Sequence, residues 1–309
     1  MAVYLGIDTS NYTTSVAAFD TQNNTVRSCK KLLPVNDGTL GLRQSDAVFA
    51  HTKQLAPLLS ELMSEIKEPI SAIGVSTRPR DIEGSYMPCF LTGQMAAQSI
   101  SSVLKVPVYG FSHQAGHIMA ALYGSGKLDL ADKEFIAFHF SGGTTDCLLV
   151  KKGKENPFLI EEIATSNDLK AGQAIDRVGG MLGLSFPAGM ELDKLASSSS
   201  RQFKHNPAFK RNNPCLSGIE NKCSKMLTNG EAPADIAKCC IDYICAVADK
   251  MTATALDAYP GLPVVYAGGV MCNSIIKEKL SKKYGGSFAP AQYSADNACG
   301  TAILASFQE

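Results

Sequence analysis

The chain has no tryptophan and no net charge: Lys+Arg and Asp+Glu are both 29 in 309 residues. That balance excludes a generic nucleic-acid coat, which depends on a basic surface, and leaves room only for a local basic stripe. The ten cysteines are scattered and include no Cys-x-x-Cys pair. Several lie in apolar runs (Cys89, Cys147, Cys245) and are expected to be buried, reduced thiols, as in the cytosol. No apolar run reaches the roughly 18 residues of a membrane helix. The opening run Met1-Ala-Val-Tyr-Leu-Gly-Ile-Asp8 has no basic n-region and no long apolar h-region. Neither a signal peptide nor a membrane span is expected, and the expected location is the cytoplasm. No Gly-Lys-Ser/Thr follows any glycine-rich turn, so there is no Walker loop.

What the chain does contain is a repeated scheme. Val3 to Phe19 reads as strand, polar turn and strand, with the turn at Asp8-Thr-Ser-Asn-Tyr-Thr-Thr-Ser15. Phe135 to Val150 repeats it around Ser141-Gly-Gly-Thr-Thr-Asp146. One hairpin near the start of each half suggests an internal duplication. Helical spacing over Phe49–Met63, Gly93–Leu104, Asp168–Leu182, Ala234–Ala258 and Asn273–Lys282 alternates with short apolar strands at Ile70–Ser76, Val106–Phe111 and Pro263–Ala267. The expectation is an α/β protein of two similar lobes, residues 1–125 and 126–309, with a nucleotide cleft between them.

Two of the five histidines, His113 and His117, are four residues apart. On a helix this places both imidazoles on one face, half of a divalent-metal site, or simply two polar residues of a half-exposed helix. The residue after the first is Gln114, so the general base of a His-Glu-x-x-His peptidase is missing. Asp296 opens a run of small residues and is either a helix cap or the carboxylate that completes a His-His-Asp site.

Ser141, Gly142, Gly143, Thr144 and Thr145 form one candidate phosphate turn, with backbone N–H groups and hydroxyls close together and little side chain in the way. Thr9 and Ser10, with Asp8, Thr13 and Thr14, form another. Asp176 and Asp193 flank a glycine-rich stretch and serve either to bind ribose hydroxyls or to cap helices. Arg201, Lys204, His205, Lys210 and Arg211 make a basic stretch, read first as a solvated insertion and second as an RNA contact.

As a set these residues resemble one family, the tRNA threonylcarbamoyladenosine-forming transferases, long named O-sialoglycoprotein endopeptidases or glycoproteases. The similarity runs nearly end to end. It takes in Leu5-Gly-Ile-Asp-Thr-Ser10, Leu42-Arg-Gln-Ser45, Ile73-Gly-Val-Ser-Thr77, Gly110-Phe-Ser-His-Gln-Ala-Gly-His117, Ser141-Gly-Gly-Thr144, Ala171-Gly-Gln-Ala-Ile-Asp176, Gly183-Leu-Ser-Phe-Pro187, Gly268-Gly-Val270 with Asn273, and Ala295-Asp-Asn-Ala298.

The resemblance implies the two-lobed fold of the actin, sugar kinase and Hsp70 ATPase superfamily. It implies one Fe2+ or Zn2+ held by His113, His117 and Asp296. It implies ATP or an acyl-adenylate contacted by Ser141 to Thr145, Asp176, Gly189, Asp193 and Asn273. It further implies tRNA as acceptor and a companion protein of the same superfamily, as hetero- or homodimer.

The chain departs from the family pattern at three places. Tyr12-Thr13 stands where an acidic pair is expected. Thr144 stands where Gly-Gly-His-Thr would place a histidine. Arg78-Pro79-Arg80 replaces Gly-Pro-Gly. No catalytic side chain is therefore assigned. A catalytically altered nucleotide-binding partner protein, and more remotely a metallopeptidase, stand as alternatives to the transferase.

Overall fold

The computed structural model describes residues 2–10, 12–34, 42–154, 156–294 and 297–308. In chain order the elements are β1 (Val3–Thr9), β2 (Thr13–Asp20), β3 (Thr25–Leu32), α1 (Gln44–Glu65), β4 (Ile70–Arg78), α2 (Phe90–Leu104), β5 (Val108–Ser112) and α3 (His113–Gly124). There follow β6 (Phe135–Phe140), β7 (Thr145–Lys152), β8 (Phe158–Thr165), α4 (Ala171–Met181), α5 (Gly189–Ser197), β9 (Phe209–Lys210), β10 (Asn213–Pro214), α6 (Ser217–Thr228), α7 (Pro233–Ala258), β11 (Val264–Ala267), α8 (Ser274–Tyr284), β12 (Ser287–Phe288), α9 (Ala291–Ser294) and α10 (Asn297–Ser306).

Two compact units result. One comprises Met1–Asp132, Lys152–Leu159 and Gln292–Glu309, the other Lys133–Lys151 and Ile160–Ala291. The first contains a sheet in the order β3-β2-β1-β4-β5, and the second a sheet in the order β8-β7-β6-β11-β12. In each, the strand that opens the unit is antiparallel to its hairpin partner and parallel to the strand on its other side. The shared order bears out the duplication seen in the sequence.

The strand positions follow from composition. Every residue of β1 and of β6 is buried, as central strands covered on both faces require. In β3 no residue is buried, and Arg27, Lys30 and Lys31 mark it as a charged edge.

The division at residue 125 leaves the C-terminal helix in the second lobe. The structure places α10 in the first unit instead, for a steric reason. A Cβ on Gly6 of β1 would lie 2.0 Å from the Ala298 carbonyl oxygen, and one on Gly74 of β4 would lie 2.2 Å from that of Thr301. A Cβ on Gly300 would lie 1.8 Å from the Gly116 carbonyl oxygen of α3. The glycines of the Leu5-Gly-Ile and Ile73-Gly-Val motifs are the floor on which α10 rests. That contact sets α10 beside the histidine helix.

Candidate metal centre and phosphate turn

In the first unit β5 runs directly into α3. The Ser112 hydroxyl at the junction accepts the Ala115 N–H at 3.1 Å and so caps the helix. The same hydroxyl donates to Asp81 Oδ2 at 2.6 Å, and Asp81 Oδ1 receives the Arg78 guanidinium at 2.5 Å. The Pro79 carbonyl accepts the Gln114 N–H at 3.1 Å. The segment that departs from Gly-Pro-Gly is thus a brace for the start of α3. Arg78 is engaged in that brace.

The cap fixes His113 as the first helical residue, and His117 follows one turn later. Their Nε2 atoms face each other at 3.0 Å. Behind them, Nδ1 of His113 lies 2.9 Å from Oδ2 of Asp8, a residue 1% exposed at the end of β1. The Asn297 amide nitrogen lies 2.7 Å from the same carboxylate oxygen and 2.7 Å from Nδ1. An ionised carboxylate only accepts, so the amide and the Nδ1–H both donate to Asp8. A neutral His113 then carries its lone pair on Nε2, the atom turned toward His117.

Burial alone would raise the Asp8 carboxyl. The His113 imidazole, helped by Ser76 and Asn297, outweighs burial and holds it well below the usual carboxylate range. Asn297 Oδ1 is buried and has no hydrogen-bond partner among the described residues.

Two nitrogens 3.0 Å apart, backed by a carboxylate on the outer ring nitrogen, suit two ligands of one divalent ion with bonds of about 2.0–2.1 Å. Among the described residues no set of three or more His, Cys, Asp and Glu side chains could hold an ion. Asp296, the expected third ligand, lies outside the described residues.

The other residues expected at the first turn are drawn inward. The Thr9 hydroxyl donates to the Cys89 carbonyl at 2.9 Å and accepts the Gly93 N–H at 3.1 Å. Thr14 Oγ1 lies 2.8 Å from Nδ1 of the fully buried His51, whose Nε2 is 2.7 Å from the Ser10 carbonyl. Burial lowers the His51 pKa from its ordinary value. The expected first phosphate turn is therefore largely a packed strand end. Ser10 is half-buried, with its N–H held by Asp8 at 3.0 Å.

In the second unit the turn between β6 and β7 is open. A Cβ on Gly142 would meet nothing within 4 Å, and one on Gly143 would come no closer than 4.0 Å to Ser141 Oγ. The turn is pinned from below. The Thr144 and Gly143 N–H groups reach Ser141 Oγ at 3.1 and 3.2 Å, the Ser141 carbonyl accepts the Gly172 N–H at 3.0 Å, and Thr145 Oγ1 accepts the Ala171 N–H at 2.8 Å. Ser141 Oγ and Thr144 Oγ1 lie 3.1 Å apart, and Thr144 Oγ1 lies 3.2 Å from Nδ1 of His139.

The remaining candidates lie in the same unit. Asp176, on α4, accepts the Ala188 N–H at 2.9 Å, just before Gly189 opens α5, and burial pushes its carboxyl up. Asp193, on α5, holds the Ser274 N–H and hydroxyl at 3.0 and 2.9 Å. Asn273 caps α8 by accepting the Ile275 and Ile276 N–H groups, each at 3.1 Å. Of the basic stretch, Arg201 is engaged with Glu231 and Asp235 at 2.7 and 3.0 Å.

Several residues here were not singled out in the sequence: Asp81, Ser112, His139 and Asn297. Only the position of Ser112 immediately before the helix carried a signal, that of an N-cap.

The model of the TsaD family, tRNA N6-adenosine threonylcarbamoyltransferase, matches residues 40–303. A protein of that name from Sulfurihydrogenibium sp. (strain YO3AOP1) is 29% identical over 296 residues, covering 90% of this chain and 81% of its own length. Among solved structures, full-length HypF in the phosphate- and nucleotide-bound form superposes with a TM-score of 0.62 at 14% identity, over 98% of this chain and 46% of HypF. A ROK family glucokinase from Streptomyces griseus, in complex with glucose and AMPPNP, gives 0.51 at 11% identity, over 99% of this chain and 100% of the kinase. At such identities these structures establish the fold alone, the α/β fold they share with this chain. Since the family model spans most of the sequence, the chain belongs to the TsaD family of tRNA N6-adenosine threonylcarbamoyltransferases.

Proposed function

We propose that the protein is a metal- and adenylate-dependent acyltransferase that passes a threonylcarbamoyl group to the N6 amine of a tRNA adenosine. The observation that carries this reading is the pair of Nε2 atoms of His113 and His117, 3.0 Å apart, with the Asp8 carboxylate fixing the other nitrogen of His113. His113 and His117, with Asp296 as third ligand, would hold Fe2+ or Zn2+. Such an ion supplies Lewis-acid polarisation of the acyl carbonyl.

The chain's own part is to hold and orient. Ser141, Thr144 and Thr145, with the open backbone of Gly142 and Gly143, seat the phosphate of ATP or an acyl-adenylate. Asp176 accepts a ribose hydroxyl on the oxygen opposite its bond to Ala188. Gly189, Asp193 and Asn273 shape the nucleoside side of the same unit, and Ser10 is a further contact. Thr9 holds the end of β1 through its two internal hydrogen bonds. A companion protein of the same superfamily and the cytoplasm as working compartment go with this reading.

Metal analysis and mass spectrometry of what the purified protein retains test it. Incubated with threonine, bicarbonate, ATP and its companion proteins, the wild type should retain one ion and a threonylcarbamoyl-adenylate, and His113→Ala should lose both. A metal-free protein with no acylated nucleotide would contradict it.

One observation favours a second reading, a nucleotide-binding regulatory protein without transfer. Tyr12 and Thr13 stand where the acidic pair is expected, and the Asp8 carboxylate at the end of β1 is tied to His113. Bound plain nucleotide that is never acylated or turned over would point to it.

A further inference from the structure

Thr144 removes an imidazole from the phosphate turn, and the structure brings another one to it. His139 is on β6, two residues before Ser141, and is 6% exposed. Its Nδ1 lies 3.2 Å from Thr144 Oγ1, which also lies 3.2 Å from the His139 carbonyl and 3.1 Å from Ser141 Oγ. The Thr144 hydroxyl has one proton and three neighbours. The His139 carbonyl can only accept; when a phosphate oxygen takes the Thr144 proton in its place, Nδ1–H of the imidazole donates to Thr144. Ser141 Oγ already accepts two N–H groups of the turn. Its own proton is then free to point outward.

We propose that His139 is the imidazole of this phosphate turn. It acts as a positioning residue that polarises the Thr144 hydroxyl toward a phosphate-bearing ligand seated over Gly142 and Gly143. The inference rests on the reading of Ser141–Thr145 as a phosphate turn.

Three features support it. The turn sequence Ser-Gly-Gly-Thr-Thr has no lysine or arginine, so its side chains alone bring no positive charge to an anion. Gly268 makes room for the ring, since a Cβ there would lie 2.9 Å from His139 Cδ2 and 2.2 Å from the Phe140 carbonyl oxygen. The β6–β7 register sets Asp146 directly opposite His139, on the same face of the sheet.

Asp146 is buried and accepts the Thr165 hydroxyl at 2.6 Å. The other neighbouring strand, β11, presents Ala267 in register with His139, and the turn after it carries Cys272 as its one titratable side chain.

The test is calorimetric titration with ADP and with adenosine between pH 5.5 and 8.5, on the wild type, His139→Gln, Thr144→Val and the double variant His139→Gln/Thr144→His. The charged imidazole strengthens the hydrogen bond to phosphate, so wild-type ADP affinity at low pH should exceed that of His139→Gln by about tenfold, an advantage of ~1.4 kcal/mol. That advantage should shrink as the imidazole loses its proton. Comparison at each pH cancels the titration of ADP itself.

Thr144→Val should behave like His139→Gln. The double variant, with its imidazole at position 144, should regain affinity. Adenosine has no phosphate and should bind all four proteins alike. Equal ADP affinity and equal pH profiles for wild type and His139→Gln would overturn the role of His139 and leave the phosphate turn standing. A wild type that binds adenosine and ADP equally well would overturn both.

Discussion

The Asp8 carboxylate lies 2.9 Å from Nδ1 of His113, joining residues 105 positions apart. The link orients the ring so that Nε2 faces His117. A carboxylate behind a metal-binding histidine sets its tautomer and raises its basicity. Asp8→Asn should therefore weaken Zn2+ or Co2+ binding by about 10- to 100-fold, read by calorimetric titration of the metal. Unchanged affinity would mean that the Asp8–His113 pair serves packing alone.

The brace at the start of α3 makes a separate prediction. Ser112→Ala removes the N-cap and the partner of Asp81. Loss of the cap should cost about 1 kcal/mol of stability, measured by urea unfolding. Metal affinity should fall with it, because His113 is the first residue of that helix. A variant as stable as the wild type would show that Asp81 and Arg78 hold the helix without the cap.

Glycines of two kinds should respond oppositely to alanine. Gly300→Ala drives a methyl into the Gly116 carbonyl and should cost on the order of 3 kcal/mol through overpacking. Gly142→Ala and Gly143→Ala meet open space and should change stability by no more than about 0.5 kcal/mol. Their loss should appear instead in nucleotide affinity. Thermal unfolding and nucleotide titration on the three variants separate the two effects.

Asp168 gives a pH prediction. Its carboxylate accepts the Leu216 and Ser217 N–H groups, each at 3.0 Å, at the start of α6. Partial burial raises its pKa, but these bonds outweigh it and hold the group well below the carboxylate range. A depressed carboxylate contributes stability above its unfolded pKa of about 4, and that stability is lost as pH falls through the folded value. The group is exposed, so the contribution at neutral pH is about 1 kcal/mol, the worth of a helix cap. Asp168→Asn should lose that amount at pH 7 and match the wild type at the acid end of the profile. A constant difference across pH would contradict the electrostatic account.

The sequence carried the fold well where periodicity and composition are local. The hairpins at Val3 and Phe135 and the helices beginning near His113 and Pro233 stand where apolar spacing put them. The C-terminal helix was misassigned because its place depends on glycines at positions 6, 74 and 116, remote in sequence from Gly300. Within the candidate site, the histidine pair was legible because its spacing is local. The Asp8–His113 bond was not, since it comes from the parallel pairing of β1 with β4 and of β4 with β5, which brings the ends of those strands together. His139 was missed for a simpler reason: a histidine in an apolar strand gives no periodic signal. Only the turn that follows folds Thr144 back onto it.

The central claim is transfer of a threonylcarbamoyl group to tRNA. The most direct measurement incubates the purified protein with unmodified tRNA, threonine, bicarbonate, ATP and the companion proteins, followed by nucleoside analysis of the tRNA. The account predicts N6-threonylcarbamoyladenosine with the wild type and none with a variant carrying His113→Ala and His117→Ala. Absence of the modified nucleoside with the wild type, under conditions where another family member forms it, would contradict the account.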